Sequence, residues 1–90
     1  MGRGVEKKMS AIIQTQYDVF LDSKHLLCPM PIIKLSQAIK KIDVGQTILT
    51  ETTDPGSQYD IAAWARQTGH ELLATENEGN VFRFLVRRAK

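Results

Sequence analysis

The segment that most constrains the fold is the stretch 26–31, which reads LLCPMP and contains the only cysteine of the 90-residue chain. Proline is tolerated in the first turn of a helix, where its missing N–H would have no partner, but it disrupts a helix interior. A residue that precedes proline prefers extended geometry, so we expect Met30 to lie outside the helix and Pro31 to be its first residue. The stretch therefore predicts a loop that leads into a helix, with Cys28 at the amino-terminal end of that helix.

This position has chemical consequences for the Cys28 thiol. Free backbone N–H groups and the positive end of the helix dipole lie at a helix N-terminus. They lower the pKa of a cysteine from its usual value of about 8.5, so we expect a reactive thiol. The alternative is a cysteine that packs in the core as a small apolar side chain. The Pro-x-Pro arrangement favours the exposed thiol, because it forces loop geometry where the sulfur lies.

Periodicity and turn residues predict six elements in the order β-α-β-α-β-β, at residues 17–21, 31–42, 46–52, 58–68, 71–76 and 81–87. A strand, a helix and a strand in succession imply a right-handed crossover between parallel strands. We therefore expect an α+β fold, a two-layer sandwich in which both helices cover one face of a four-stranded mixed sheet. Residues 1–15 are predicted to be a flexible N-terminal tail, and 16–90 a single domain.

Two details of the helices can be predicted as well. Five apolar residues share one face of the first helix: Ile32, Leu35, Ala38, Ile39 and Ile42. Ile33 falls on the solvent side of the same helix. Ser57 and Asp60 have the spacing of a capping box, which makes Ser57 the N-cap of the second helix, and Gly69 supplies its left-handed end.

Composition and charge exclude several classes of protein. The net charge of +2 is too small to indicate a nucleic-acid binder, which concentrates basic residues in a patch. A single cysteine forms no internal disulfide and no Cys-rich zinc site, and it fits a reducing compartment. No run approaches the ~18 apolar residues of a membrane span, and residues 11–13 are too few for the core of a signal peptide. We expect a cytoplasmic protein that has no contact with a membrane.

Motifs in a fixed order connect the chain to a known family. They are Leu21-Asp22, Leu26, Cys28-Pro29-Met30-Pro31, Asp54-Pro55-Gly56-Ser57 and the segment 64–72. In this order they resemble the TusA/SirA-like sulfur carriers, and the resemblance covers residues 17–88. The resemblance implies the two-layer fold predicted above, which the C-terminal domain of translation initiation factor 3 also has.

The resemblance implies a function for the thiol. Cys28 would accept sulfur as a persulfide from a cysteine desulfurase or rhodanese-like donor and relay it to an acceptor protein, without a metal or cofactor of its own. The relay could serve tRNA thiolation, cofactor biosynthesis or sulfur oxidation. The supporting residues would be Pro29, Pro31, Asp22, His25 and Asp54. The residues expected to dock partners are Leu27, Met30, Ile33 and Lys34.

The chain departs from the family pattern just before Cys28. Family members commonly have Gly-Leu-Arg there, whereas this chain has His25, Leu26 and Leu27. The change removes a positive charge that could hold the thiolate, and Leu27 suggests partners other than those of the best-known tRNA thiolation relay. His25 is either a cation within reach of the thiol or an ordinary loop residue. Asp22 and Asp54 match acidic family positions, although each also fits a plain turn.

Other classes of function remain open. A thiol-redox enzyme would use Cys28 as a sulfenic acid, but the chain has no resolving cysteine. A Cys-His hydrolase would need His25 or His70 as its base, and no oxyanion donors are evident. An RNA-associated module has only the shared initiation-factor fold in its favour, and a fold does not define a function. Direct binding of nucleic acid is therefore not expected.

Overall fold

A computed structural model describes residues 17–90, so the predicted tail lies outside the described residues. The elements are β1 Val19–Ser23, α1 Met30–Ile39, β2 Thr47–Thr52, α2 Ser57–Thr68, β3 Glu71–Glu78 and β4 Val81–Arg87. Their order is the predicted one. The first strand lies two residues further along the chain than expected, and each helix begins one residue earlier.

The four strands form one mixed sheet in the order β1-β2-β4-β3. Strand β1 runs parallel to β2, with Val19 opposite Ile48. Strand β4 lies antiparallel to both β2 and β3, and the β3 pairing shifts register between Leu72 and Ala74. The parallel pair and the four-stranded mixed sheet are as predicted.

The core lies between the sheet and the two helices. Its buried apolar residues are Leu35, Ile39, Ile42, Ile48, Ile61, Trp64, Ala65, Phe82, Phe84 and Val86. Full burial of a side chain of this size contributes about 1.5–3 kcal/mol, so the apolar stripes of both helices hold the two layers together. The predicted stripe of α1 faces this core, whereas Ile33 is exposed as expected.

The ends of α1 differ from the prediction. The helix includes Met30, although a proline follows it, because the Met30 N–H donates to the Leu27 carbonyl over 2.8 Å. That bond closes a turn, which the Ile33 N–H continues by donating to the Pro29 carbonyl over 3.1 Å. At the other end the helix stops at Ile39 rather than at residue 42. The Lys41 N–H donates to the Ala38 carbonyl, a tighter bond that ends the α-helical pattern.

The capping box predicted for α2 is wrong. Gly56 is the N-cap, and Ser57 is already part of the helix and caps nothing. The buried Ser57 hydroxyl instead donates to the Asp54 carbonyl over 2.7 Å and lies 2.6 Å from the Thr52 hydroxyl. Burial against β2 thus takes the serine away from the helix terminus. The other end is as predicted, since Gly69 has a φ of 85° and its N–H donates to the Ala65 carbonyl.

The topology brings two loops together at one edge of the sheet. Strands β1 and β2 are parallel, so the loops that leave their carboxyl ends lie side by side. The first loop, 24–29, carries Cys28, and the second, 53–56, leads into α2. Both helices therefore begin at the edge where the cysteine lies. In residues 17–90, no helix has the length and apolar character needed to cross a membrane.

The buried Ser57 hydroxyl should matter for stability, since it ties the start of α2 to β2. We predict that Ser57→Ala lowers the free energy of unfolding by about 1–3 kcal/mol, because it leaves the Thr52 hydroxyl without a buried acceptor. Urea denaturation measures the change. Gln58→Ala is the matched control, since Gln58 is exposed on the same turn, and it should stay within about 0.5 kcal/mol of the parent. Equal unfolding midpoints for the two variants would contradict this role of Ser57.

Candidate functional site

Cys28 lies exposed in the loop between β1 and α1, immediately before the N-cap residue Pro29. The peptide bond between these two residues is cis. Pro31, the second proline of the motif, is buried in the first turn of α1. The exposed thiol agrees with the sequence prediction, and the alternative of a core cysteine is excluded.

Asp54 connects the cysteine loop to the start of α2. Its Oδ2 atom accepts a hydrogen bond from the Cys28 N–H over 3.1 Å. Its Oδ1 atom accepts one from the Gly56 N–H, also over 3.1 Å. One carboxylate therefore fixes the backbone of both loops, and hydrogen bonds to a charged acceptor are stronger than those between neutral groups. Asp54 holds Cys28 in place.

Asp60 interacts with the Cys28 thiol and does not take part in the predicted capping box of α2. Hydrogen bonding to the Asp60 carboxylate raises the pKa of the Cys28 thiol, and desolvation and the charges of Asp60 and Asp54 raise it further. Both carboxylates lie beside the first turn of α2. A Cβ atom added to Gly56 would lie 3.5 Å from Asp54 Oδ1 and 3.9 Å from Asp60 Oδ2. Asp60 follows Ser57 by three residues, and this spacing predicted a capping box. The proximity of Asp60 to the thiol depends on the tertiary structure and could not be predicted from that spacing.

The direction of this shift corrects the expectation of a lowered thiol pKa. The lowered pKa was expected because Cys28 lies at the N-terminus of α1, where the helix dipole favours a thiolate. Two negatively charged groups near the sulfur disfavour the same thiolate, and like charges raise the pKa of an acid. The hydrogen bond to Asp60, desolvation and the two carboxylate charges raise the pKa of Cys28, which favours the protonated thiol.

Asp22 and Lys34 are occupied by contacts within this chain. The Asp22 Oδ1 atom accepts bonds from the Lys24 N–H and the Lys24 ammonium, each over 3.0 Å. These two bonds lower the pKa of Asp22. The Lys34 ammonium donates to the Asp22 carbonyl over 2.9 Å. Asp22 therefore stabilises the end of β1, as its turn interpretation suggested, and a docking role for Lys34 stays a prediction.

His25 has a backbone conformation that explains the family glycine at this position. Its φ is +70°, in the left-handed region that glycine adopts without a steric cost. Its N–H donates to the Thr53 hydroxyl over 2.8 Å, a second link between the two loops. The groups that shift the Cys28 pKa do not include His25. Its role as a cationic neighbour of the thiol stays a prediction.

Three exposed apolar residues lie near Cys28 in the chain. Leu27, Met30 and Ile33 are 74, 42 and 40% exposed, and all three are close to Cys28 in the sequence. Within the described range 17–90, no group of three His, Cys, Asp or Glu side chains is arranged to hold a metal ion. The site therefore combines one exposed thiol, two nearby carboxylates and three exposed apolar side chains.

The role of Asp60 can be tested on the thiol itself. We predict that Asp60→Asn lowers the pKa of Cys28, because it removes the charge that disfavours the thiolate. Alkylation by iodoacetamide, followed against pH, should shift to lower pH and become faster at neutral pH. Asp43→Asn removes an equal charge from an exposed turn after α1 and should leave the curve in place. Coinciding curves for the two variants would contradict the role of Asp60.

Comparison with known proteins identifies the family. The family profile described as "Sulfurtransferase TusA" matches residues 19–88. "Putative sulfur carrier protein YrkF" of Bacillus subtilis is 44% identical over 70 residues, which are 78% of this chain but only 38% of that longer protein. "Sulfur carrier protein TusA" of Allochromatium vinosum is 38% identical over 73 residues, which are 81% of this chain and 96% of that protein.

A solved structure agrees with these matches at the level of the fold. The crystal structure of a SirA-like protein from Desulfitobacterium hafniense superposes with a TM-score of 0.71 and 16% identity, covering 81% of this chain and all of that one. The two-layer fold inferred from the sequence is therefore confirmed. With the Cys-Pro-x-Pro loop and the profile match over residues 19–88, the chain belongs to the TusA family.

Proposed function

We propose that this protein accepts a sulfur atom as a persulfide on Cys28 and passes it to an acceptor protein. The observation that carries the proposal is the single exposed thiol, which lies at the motif of a sulfur carrier family. The Cys28 thiolate attacks the outer sulfur of a donor persulfide, and the donor thiolate leaves. An acceptor nucleophile then attacks the outer sulfur on Cys28, and the Cys28 thiolate leaves. The first step exchanges one sulfur–sulfur bond for another, and the second does the same when the acceptor nucleophile is a thiolate, so neither step consumes an oxidant or a reductant.

The carboxylates around Cys28 favour a carrier that works only in complexes. A raised thiol pKa lowers the fraction of thiolate that can attack, and it makes Cys28 a slower leaving group. A positively charged side chain of a docked partner would offset Asp54 and Asp60 and activate the sulfur. The free carrier would then react slowly with stray thiols. This behaviour fits a relay protein better than a self-sufficient enzyme.

The partners we propose are a donor such as a cysteine desulfurase or rhodanese-like protein and a protein acceptor. The exposed Leu27, Met30 and Ile33 would form the centre of the docking surface, with Lys34 at its margin. Apolar side chains at the centre and charged ones at the rim are typical of protein interfaces. The relay would operate in the cytoplasm, for tRNA thiolation, cofactor biosynthesis or sulfur oxidation. No membrane or nucleic acid is required at any step.

Loading of Cys28 can be observed directly. We predict that incubation with a cysteine desulfurase and free cysteine adds the mass of one sulfur atom to the chain, and that a reductant removes it. Intact-mass spectrometry measures the adduct. Cys28→Ser should show none, because it lacks the accepting sulfur. If Cys28→Ser gains the same mass, or if the parent gains none from desulfurase or rhodanese-like donors, the proposed function is wrong.

The docking surface can be tested with a pair of neutral polar substitutions, which leave the charge near Cys28 unchanged. We predict that Leu27→Asn slows transfer from the donor by roughly tenfold, the effect of losing about 1.4 kcal/mol of interface energy. The rate is measured below saturation by the same mass assay. Val44→Asn is the control, since Val44 is 61% exposed and follows the far end of α1. Equal rates for the two variants would remove Leu27 from the interface.

A further inference from the structure

A cavity lies away from the cysteine, where α1 and α2 end. Its volume is about 400 Å³, and the side chains that matter here are Ile39, Lys40, Trp64, His70, Arg88 and Lys90. Lys40 is ten residues beyond Met30, which corresponds to roughly 15 Å along the helix axis. The cavity thus occupies the opposite end of the helical layer from the thiol. The proposed sulfur relay makes no use of it.

The cavity is strongly basic. Lys40, Arg88 and Lys90 line it together with His70, and no carboxylate side chain lines it. None of the ion pairs between residues 17 and 90 involves these three cations. The carboxyl-terminal end of each helix contributes about half a negative charge through its dipole. Two helix ends therefore offset about one of the three cations, and a main-chain carboxylate at Lys90, which accepts a bond from Arg88, would offset a second, so an excess of about one positive charge is left.

Hydrogen bonds hold one of the three cations in place. The Arg88 guanidinium donates to the Ile42 carbonyl and, over 3.0 Å, to the main-chain oxygen of Lys90. The exposed Lys90 side chain lies over Gly69, where a Cβ atom would overlap with it. Like charges around one cavity repel one another, and a bound anion would relieve that repulsion.

One wall of the cavity is aromatic and apolar. The rings of Trp64 and His70 lie 5.5 Å apart at an angle of 33°, next to Ile39. The Trp64 Nε1–H donates to the Ser36 hydroxyl over 2.9 Å, which fixes the indole. The His70 Nδ1 atom accepts the Ala89 N–H over 3.1 Å, so the neutral ring carries its proton on Nε2 and can donate it to a ligand.

From this combination we propose that the cavity binds a nucleotide-type anion, a phosphate monoester that carries a planar ring. The ring would pack against the half-buried His70 and the exposed part of Trp64, and the phosphate would lie between the ammonium groups of Lys40 and Lys90. The volume is within the range of about 300–1,000 Å³ that ligand sites occupy. An inorganic ion would leave the apolar wall unused, whereas a neutral ring would leave the positive charges unpaired.

The chain contains a reporter for this site, because Trp64 is its only tryptophan. We expect adenosine monophosphate to change the Trp64 fluorescence of the full chain with a Kd at or below about 1 mM. Adenosine and inorganic phosphate should each bind at least about tenfold more weakly, because adenosine lacks the phosphate that contacts the cations and inorganic phosphate lacks the ring.

The pKa of His70 provides a second measurement. Burial and the charges of Arg88 and Lys90 lower the pKa of His70. A bound phosphate facing Lys40, Arg88 and Lys90 should raise that pKa, as measured by NMR titration.

Substitutions locate the binding. Lys40→Ala and Lys90→Ala should each weaken adenosine monophosphate binding by about tenfold, the loss of one charged hydrogen bond. Lys41→Ala removes the neighbouring exposed charge outside the cavity and should leave the affinity unchanged. Unchanged fluorescence and unchanged His70 resonances up to about 10 mM nucleotide would overturn the proposal. Equal affinities of the Lys40 and Lys41 variants, or of phosphate and the nucleotide, would overturn it too.

Discussion

The position of the Cys28 loop depends on two hydrogen bonds that the Asp54 carboxylate accepts. One comes from the Cys28 N–H and the other from the Gly56 N–H. They join a loop that follows β1 to a loop that follows β2, although 26 residues separate Asp54 from Cys28. The parallel pairing of these strands makes the contact possible, since both loops then leave the sheet at one edge. The backbone of the exposed Cys28 is thereby held in a defined position.

The same end of the fold places negative charge beside the sulfur, mainly from Asp60 and to a smaller extent from Asp54. A helix N-terminus alone would favour the thiolate, but the fold brings two carboxylates to the same point. The thiol is therefore exposed, and its pKa is raised. In the function that we propose, a docked partner would offset the carboxylates, and the exposed side chains of Leu27, Met30 and Ile33 would form the docking surface. The exposure of the Cys28 thiol and its raised pKa thus have different causes, the first in the loop that carries it and the second in Asp60 and Asp54.

The sequence predicted most of the fold and the position of the thiol, because both depend on local patterns. Alternation, helical spacing and the prolines gave six elements in the correct order and an exposed Cys28. The roles of Asp60 and Ser57 were not predictable in this way. Their spacing matches a capping box, but burial of Ser57 against β2 and the proximity of Asp60 to Cys28 are tertiary facts. The left-handed conformation of His25 was not predicted either, although the glycine that family members commonly have at this position was a signal for it.

The solitary cysteine has one further consequence, for the oxidised form of the protein. With no second cysteine in the sequence, a disulfide can form only with another molecule. Self-inactivation would therefore require two copies to meet at their Cys28 loops, and its rate would rise with the square of the protein concentration. Each copy brings Asp54 and Asp60 to that encounter, and the mutual repulsion of four carboxylates opposes it. The acidic surroundings that restrain the thiol thus also discourage dimerisation through it.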